Sequence, residues 1–253
     1  MFELYEHMQL GADEIHVLFF SVTDFENMSS EIQALLDDAE LKQADRKAIE
    51  IEKTRYVITK GLTKCILSSY VGVDPQDIRF ALGKNGKPAI YPGPKTGIEF
   101  NVSHTYDLAV IAIAKNTGIG IDIEKIRENI HIDDVVLYAF THKVSDIIRT
   151  APQPQRSNLF FTYWSRKESV VKAIGGTVAW HMDRIQIAEH PNEDGWMSVT
   201  VEEQKSPWFV KDLVFSSEYT GAVCSKSSNK SIIIKKLLPK DVALEKRLAI
   251  SGR

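Results

Sequence analysis

Apolar positions in this chain come in short blocks whose spacing changes along its length. Ile15 to Val22 is a compact run of β-branched and aromatic residues, the mark of a buried strand. From about Ser30 to Tyr70 the period becomes helical, with Ile58, Leu62, Cys65 and Ile66 recurring at steps of three and four. Gly72 and Asp74-Pro75 supply the stop. Ile78 to Leu82 reads as a short strand, followed by the turn Gly83-Lys84-Asn85-Gly86-Lys87-Pro88 and a loop extended by Tyr91-Pro92-Gly93-Pro94. Strands are then expected from Phe100, over Leu108–Ala114, and over Ile119–Ile123. His131 to Arg149 is compatible with a helix. After Ala151-Pro152-Gln153-Pro154 a second helix is expected, capped by Ser157 or Asn158 and ended at Ile174 by Gly175-Gly176. Strands at Ile185–Ala188, Met197–Glu202, Trp208–Phe215 and Thr220–Ser225 follow, and Ile232–Ile234 with Leu237-Leu238 suggest another. Helices and meander-like strands without regular βαβ alternation predict an α+β fold.

Composition narrows the class. With 253 residues, 26% charged and 43% hydrophobic, the chain can bury a core of one large or two small domains. Its longest unbroken apolar run, Leu108–Ala114, is far short of the ~20 residues a bilayer span needs. The first residues are acidic where a secretory leader would be basic, and Cys65 and Cys224 sit far apart in apolar surroundings. A cytoplasmic protein with two reduced thiols and no membrane association is expected. Net charge is −3, but residues 226–253 carry +6, leaving −9 on the rest. No RNA-type aromatic motif or helix-turn-helix accompanies that basic tail, so nucleic acid is not the expected partner.

Four places could carry chemistry. In Gly118-Ile119-Gly120-Ile121-Asp122-Ile123-Glu124, strand alternation puts Gly120, Asp122 and Glu124 on one face. Two such carboxylates have Cα atoms ~6.5 Å apart, close enough to share one hard cation, with Gly120 leaving room for a phosphate. A lone pair of this kind is more often the wet face of a strand. In the helix Phe160–Lys172, Lys167 falls within the apolar stripe Phe160, Trp164, Val171, Ile174, so it must snorkel or meet an anion in a cleft. Glu168 and Lys172, at i and i+4, form either a surface pair or the edge of a cleft. Asn101-Val102-Ser103-His104 runs into a polar turn that could hold a phosphate or merely satisfy itself. Ser103 and His104 face opposite ways in a strand, which argues against acyl-transfer catalysis. Lys84, Lys87, Arg46 and Arg55 are isolated cations that could clamp phosphates.

Taken in order, Gly86-Lys87-Pro88, Asn101-Val102-Ser103-His104, Gly120-Ile121-Asp122-Ile123-Glu124 and Trp164-Ser165-Arg166-Lys167-Glu168-Ser169-Val170-Val171-Lys172 resemble the motifs of the 4′-phosphopantetheinyl transferase superfamily, of the two-half type. The resemblance spans about residues 15–225. It implies two similar α+β halves related by a pseudo-two-fold, each a small antiparallel sheet packed on a long helix, at about 1–117 and 118–240, with 241–253 as a basic tail. It implies Mg²⁺, or Mn²⁺, on Asp122, Glu124 and Glu168, and coenzyme A as co-substrate in the inter-half cleft. Arg46, Lys87, Asn101, Ser103, His104 and Lys167 would contact coenzyme A. Lys172 would neutralise the leaving bisphosphate, and Asp122, Glu168 and Lys172 would carry the catalysis. The nucleophile would be a serine of an apo acyl or peptidyl carrier protein, docked by basic residues near the cleft or by the tail, and a monomer would suffice. Where many members have an acid after the metal strand, this chain has Val144, with Asp146 the nearest substitute. A coenzyme A or nucleotide pyrophosphate hydrolase, and a silent coenzyme A-binding module, are the competing readings.

Overall fold

The computed structural model describes residues 2–4, 8–83, 86–91, 96–128, 131–176, 182, 184–202 and 204–244. Lys84, the Pro92–Pro94 loop and most of the basic tail therefore lie outside the described residues. Thirteen strands and six α-helices are described: β1 (Phe2–Leu4), β2 (Glu14–Ser21), α1 (Ser29–Gln33), α2 (Asp38–Asp45), α3 (Glu50–Val71), β3 (Arg79–Leu82), β4 (Pro88–Tyr91), β5 (Ile98–Thr105), β6 (Leu108–Lys115), β7 (Ile119–Lys125), α4 (Asp133–Ala139), α5 (His142–Thr150), α6 (Gln155–Ile174), β8 (Ile185–Ile187), β9 (Met197–Val201), β10 (Trp208–Ser216), β11 (Tyr219–Ser225), β12 (Ser231–Lys236) and β13 (Val242–Leu244). The fold is α+β, as the pattern requires.

A four-stranded sheet in the order β12-β2-β6-β5 faces a five-stranded sheet in the order β7-β11-β10-β9-β8. Side-chain alternation builds the layers between and around them. Ile15, Val17, Val110 and Ala112 from the first sheet pack against Ile119, Ile121, Ile123 and Val223 of the second. The opposite faces carry the helices: Leu18, Phe20, Ile111 and Ile113 bury against α3, and Val210, Ala222 and Cys224 against α6. Both faces of the central strands are covered, which is why Leu108–Ala114 is an unbroken apolar run instead of an alternating one.

Several boundaries differ from the pattern for identifiable reasons. The helical stretch before Tyr70 breaks into α1, α2 and α3; Asp37 caps α2 through a reciprocal pair with Glu40, and Ile49 lies in extended conformation before α3. Glu40 also meets Lys64 of α3 at 2.6 Å, a fully buried ammonium that fastens α2 to the long helix. His131–Arg149 is two helices, since the Thr141 hydroxyl caps α5 and ends the preceding run at Phe140. Helix α6 begins at Gln155, not at a Ser157 or Asn158 cap; Ser157 is inside the helix, its hydroxyl on Gln153. Pro88–Tyr91, expected to continue a loop, pairs with Arg79–Leu82 as a hairpin. The strand expected near Ile232 forms, but it lies parallel to β2 in the first sheet, and β13 pairs with β1. Strand β12 thus returns to the first sheet, which is antiparallel apart from the β12–β2 pair, while β1 and β13 form a separate two-stranded sheet. No described helix is long and apolar enough to cross a membrane.

Helix α6 lies directly on β7 because Gly120 has no side chain there. A Cβ at Gly120 would run into the carbonyl oxygen of Ser169 and the backbone of Ala173. Backbone cannot yield as a side-chain tip can, so Gly120→Ala is expected to cost roughly 1–3 kcal/mol through displacement of the helix. Urea denaturation checks this: a stability equal to wild type would show that the helix–strand spacing is looser than described.

Candidate active site

The strand-alternation argument places Gly120, Asp122 and Glu124 on the face of β7 that meets α6. Asp122 is 3% exposed, and its environment is the centre of the site. Lys172 Nζ donates to Asp122 Oδ1 at 2.6 Å and to Ser103 Oγ at 2.9 Å, while Ser103 Oγ donates to Asp122 Oδ1 at 2.9 Å. One oxygen is thus held by strand β5 of the first sheet and by α6 of the second layer. The other, Oδ2, is buried with no hydrogen-bond partner among the described residues. Burial pushes the Asp122 carboxyl above its ordinary range, and Lys172 opposes that rise.

Glu124 and Glu168 flank it. Burial, followed by repulsion from Asp122, raises both to about 7. Glu124 is partly offset by Arg127, Lys172 and a hydrogen bond from Thr105, and Glu168 by Lys172. Three carboxyl groups therefore crowd around Lys172, with Arg127 acting on Glu124 as well, and one buried carboxylate oxygen among them has no hydrogen-bond partner among the described residues. That is the donor set of a hard divalent cation. The side chains are not drawn together into a closed shell: no group of three His, Cys, Asp or Glu among the described residues is arranged around one point. Asp122 Oδ1 is instead taken by Lys172.

Successive residues of β5 face opposite sides, so Ser103 reaches Asp122 whereas His104 lines a cavity of about 200 Å³ with Tyr56, Lys60, Thr63, Phe80 and Phe100. Its imidazole is held below the ordinary value by desolvation, then by the positive charges of Lys172, Lys47 and Arg55. A neutral histidine ringed by cations is primed to bind an anion, because the anion would reverse the field that discharges it. Lys60 lies 4.6 Å from the Phe80 ring centroid on the wall of the same cavity, with its pKa lowered by burial.

Other expected residues are placed differently. Arg46 is exposed at the C-terminal cap of α2. Its neighbour Lys47, together with Arg55, acts on His104 instead. Nothing in the sequence separates Lys47 from the adjacent Arg46; both are exposed, and the path of the chain after α2 brings the charge of Lys47 to bear on His104. Lys167 is 6% exposed, and its Nζ donates to the carbonyls of Ala139 at 2.6 Å and Met182 at 2.5 Å. Lys87 Nζ donates to Ile119 O at 2.8 Å and Ala173 O at 3.4 Å, and Asn101 Oδ1 accepts from Ile121 N at 2.9 Å. Val144 lines a separate cavity of about 420 Å³ between α5, α6 and β8. Asp146 is exposed on α5. Asp107, in the turn after His104, accepts from Tyr219 and Ser21 and is structural.

The family model of the 4′-phosphopantetheinyl transferase superfamily matches residues 118–224, which include β7, α6 and β11. The 4′-phosphopantetheinyl transferase HetI of Nostoc sp. is 29% identical over 219 residues, covering 86% of this chain and 90% of that protein. The 4′-phosphopantetheinyl transferase ffp of Bacillus subtilis is 30% identical over 171 residues, 68% of this chain and 73% of that protein. The 4′-phosphopantetheinyl transferase Sfp of Bacillus subtilis is 29% identical over the same length.

The raised carboxyls make the site sensitive to pH. Unfolded, Glu168 has its ordinary value of 4.5; folded, it holds its proton to about 7. Its contribution to stability is therefore intact below about pH 4.5 and is lost as pH rises through about 7. In chelator, Glu168→Gln is expected to melt higher than wild type at about pH 8 and to match it near the unfolded value. A thermal-shift series checks this; an equal gap at both ends of the series would refute the crowding of acids described for this site.

Proposed function

Because this chain belongs to the 4′-phosphopantetheinyl transferase superfamily, we propose that it transfers the 4′-phosphopantetheine group of coenzyme A to a serine of an apo acyl or peptidyl carrier protein, releasing adenosine 3′,5′-bisphosphate. The carrying observation is the buried Asp122, paired with Lys172 and flanked by half-buried Glu124 and Glu168, with its Oδ2 left without a partner among the described residues. Asp122, Glu124 and Glu168 would hold Mg²⁺, with Mn²⁺ a natural substitute, since hard carboxylate oxygens suit both ions. When bound, the ion neutralises charge on the pyrophosphate oxygens.

The chain's own groups do the rest. Glu168 of α6, half-buried beside Asp122, would accept the proton of the serine hydroxyl. The serine oxygen forms its bond to the phosphorus that carries the pantetheine, and the bridging oxygen leaves with the bisphosphate. Lys172, poised beside Asp122, would neutralise that leaving group. Lys47 and Arg55, beside the neutral His104, form a cationic rim suited to the 3′-phosphate, with Ser103 and Arg46 as further candidates. The adjoining aromatic cavity suits the adenine ring. We place the cleft between two halves, about 1–117 and 118–240 apart from β12, which joins the first sheet, so that one copy of the chain contains a whole site. The expected setting is the cytoplasm, where coenzyme A and reduced Cys65 and Cys224 are compatible.

The direct test is intact-mass spectrometry of an apo carrier protein incubated with the protein, coenzyme A and Mg²⁺. A gain of one phosphopantetheine is expected, with the rate falling roughly 10²- to 10³-fold for Asp122→Ala and for Glu168→Ala. Chelation should stop transfer and added Mg²⁺ restore it. Cleavage of coenzyme A without any carrier would favour the hydrolase reading, and intact coenzyme A with several carriers would favour the silent binder.

A further inference from the structure

Strand β7 ends its sheet, hydrogen-bonded to β11 on one side only. An edge strand buried under other layers leaves every second N–H and C=O without a ladder partner, and a buried unpaired group costs about 1–3 kcal/mol. Ile119, Ile121 and Ile123 are 0%, 0% and 1% exposed, so water does not relieve that edge. Two side chains do. Lys87 Nζ donates to Ile119 O at 2.8 Å, and Asn101 Oδ1 accepts from Ile121 N at 2.9 Å. Residues two apart in a strand direct their backbone groups to the same edge, so these two bonds replace two rungs of one missing ladder. The lysine also reaches Ala173 O at 3.4 Å, in the last turn of α6, where carbonyls lack helical partners and the helix dipole favours a cation. Asn101 is itself 5% exposed. Ser103, two residues along β5 on the same face, binds the Asp122 carboxylate directly.

We infer that Lys87 and Asn101 are positioning residues, which stand in for the absent neighbour of β7 and thereby hold Asp122, and that they are not ligands of the nucleotide. Lys87 ties the β3–β4 hairpin to both β7 and α6, and Asn101 ties β5 to β7. Asp122 follows Ile121 in the chain, so its carboxylate is held by the strand position that Asn101 sets and by Ser103. The consequence for activity rests on the transferase reading, but the geometry does not.

The variants are Asn101→Leu, which keeps the volume and removes the acceptor, Lys87→Met, and Lys87→Arg, which keeps a donor. Each is titrated with adenosine 3′,5′-bisphosphate in chelator, and with Mn²⁺ alone by electron paramagnetic resonance. Transfer to an apo carrier is then measured over a range of coenzyme A. For Asn101→Leu and Lys87→Met, kcat and Mn²⁺ affinity are expected to fall about 10- to 100-fold, with bisphosphate affinity within about threefold of wild type. Lys87→Arg should recover most of kcat. A tenfold or greater loss of bisphosphate affinity, with kcat retained at saturating coenzyme A, would make these residues ligands and overturn the inference. Should the variants fail to fold, hydrogen exchange of the Ile121 amide in the wild-type protein decides instead. Slow exchange supports the bond to Asn101, and exchange at the rate of an open amide rejects it. If wild type transfers nothing to any carrier, the transferase reading fails, while Mn²⁺ affinity and amide exchange still judge the positioning role.

Discussion

The arrangement depends on one costly placement: the Asp122 carboxylate is taken out of water at the seam between two sheets. Burying a carboxylate is tolerable only with a counter-charge and hydrogen bonds. Lys172 supplies the charge from α6, and Ser103 the hydrogen bond from β5. Neither donor comes from the strand that carries Asp122. The site therefore exists only when the first sheet, β7 and α6 are packed together, and its charge balance is a property of the whole assembly.

That dependence explains details that look unrelated. Gly120 permits α6 to approach closely enough for Lys172 to reach Asp122. The Lys64–Glu40 pair fixes the first turn of α2, and past the other end of that helix Lys47 comes within electrostatic reach of His104. The return of β12 to the first sheet, parallel to β2, wraps the end of the chain around the layer that presents Ser103. A site divided between layers in this way has a natural opening for a ligand that spans both, one end among aromatic and basic groups and the other among carboxylates.

Much of this was legible in the chain itself. Periodicity of two made Gly120, Asp122 and Glu124 companions, and the same rule separated Ser103 from His104; both hold, since strand geometry leaves a side chain no choice of face. The strands of the second sheet and the αL stop at Gly175 are where the pattern puts them. The ordered motifs pointed to the family. Boundaries were less legible where short polar links interrupt a helical period, as at Asp37 and Thr141, because a cap competes with continuation by a margin of only about 1 kcal/mol.

Sequence by itself determined the faces: which residues of each strand and helix share a side, and therefore which could meet. Tertiary structure decided what they meet. Lys167 and Lys87 have the same charge and reach as Lys172, and all three were candidates for an anion. Lys172 ends beside the Asp122 carboxylate, whereas Lys167 donates to the backbone carbonyls of Ala139 and Met182 and Lys87 to those of Ile119 and Ala173. An ammonium goes to whatever acceptor lies within about 3 Å of its tip. That acceptor belongs to segments distant in the chain, so no local pattern could name it.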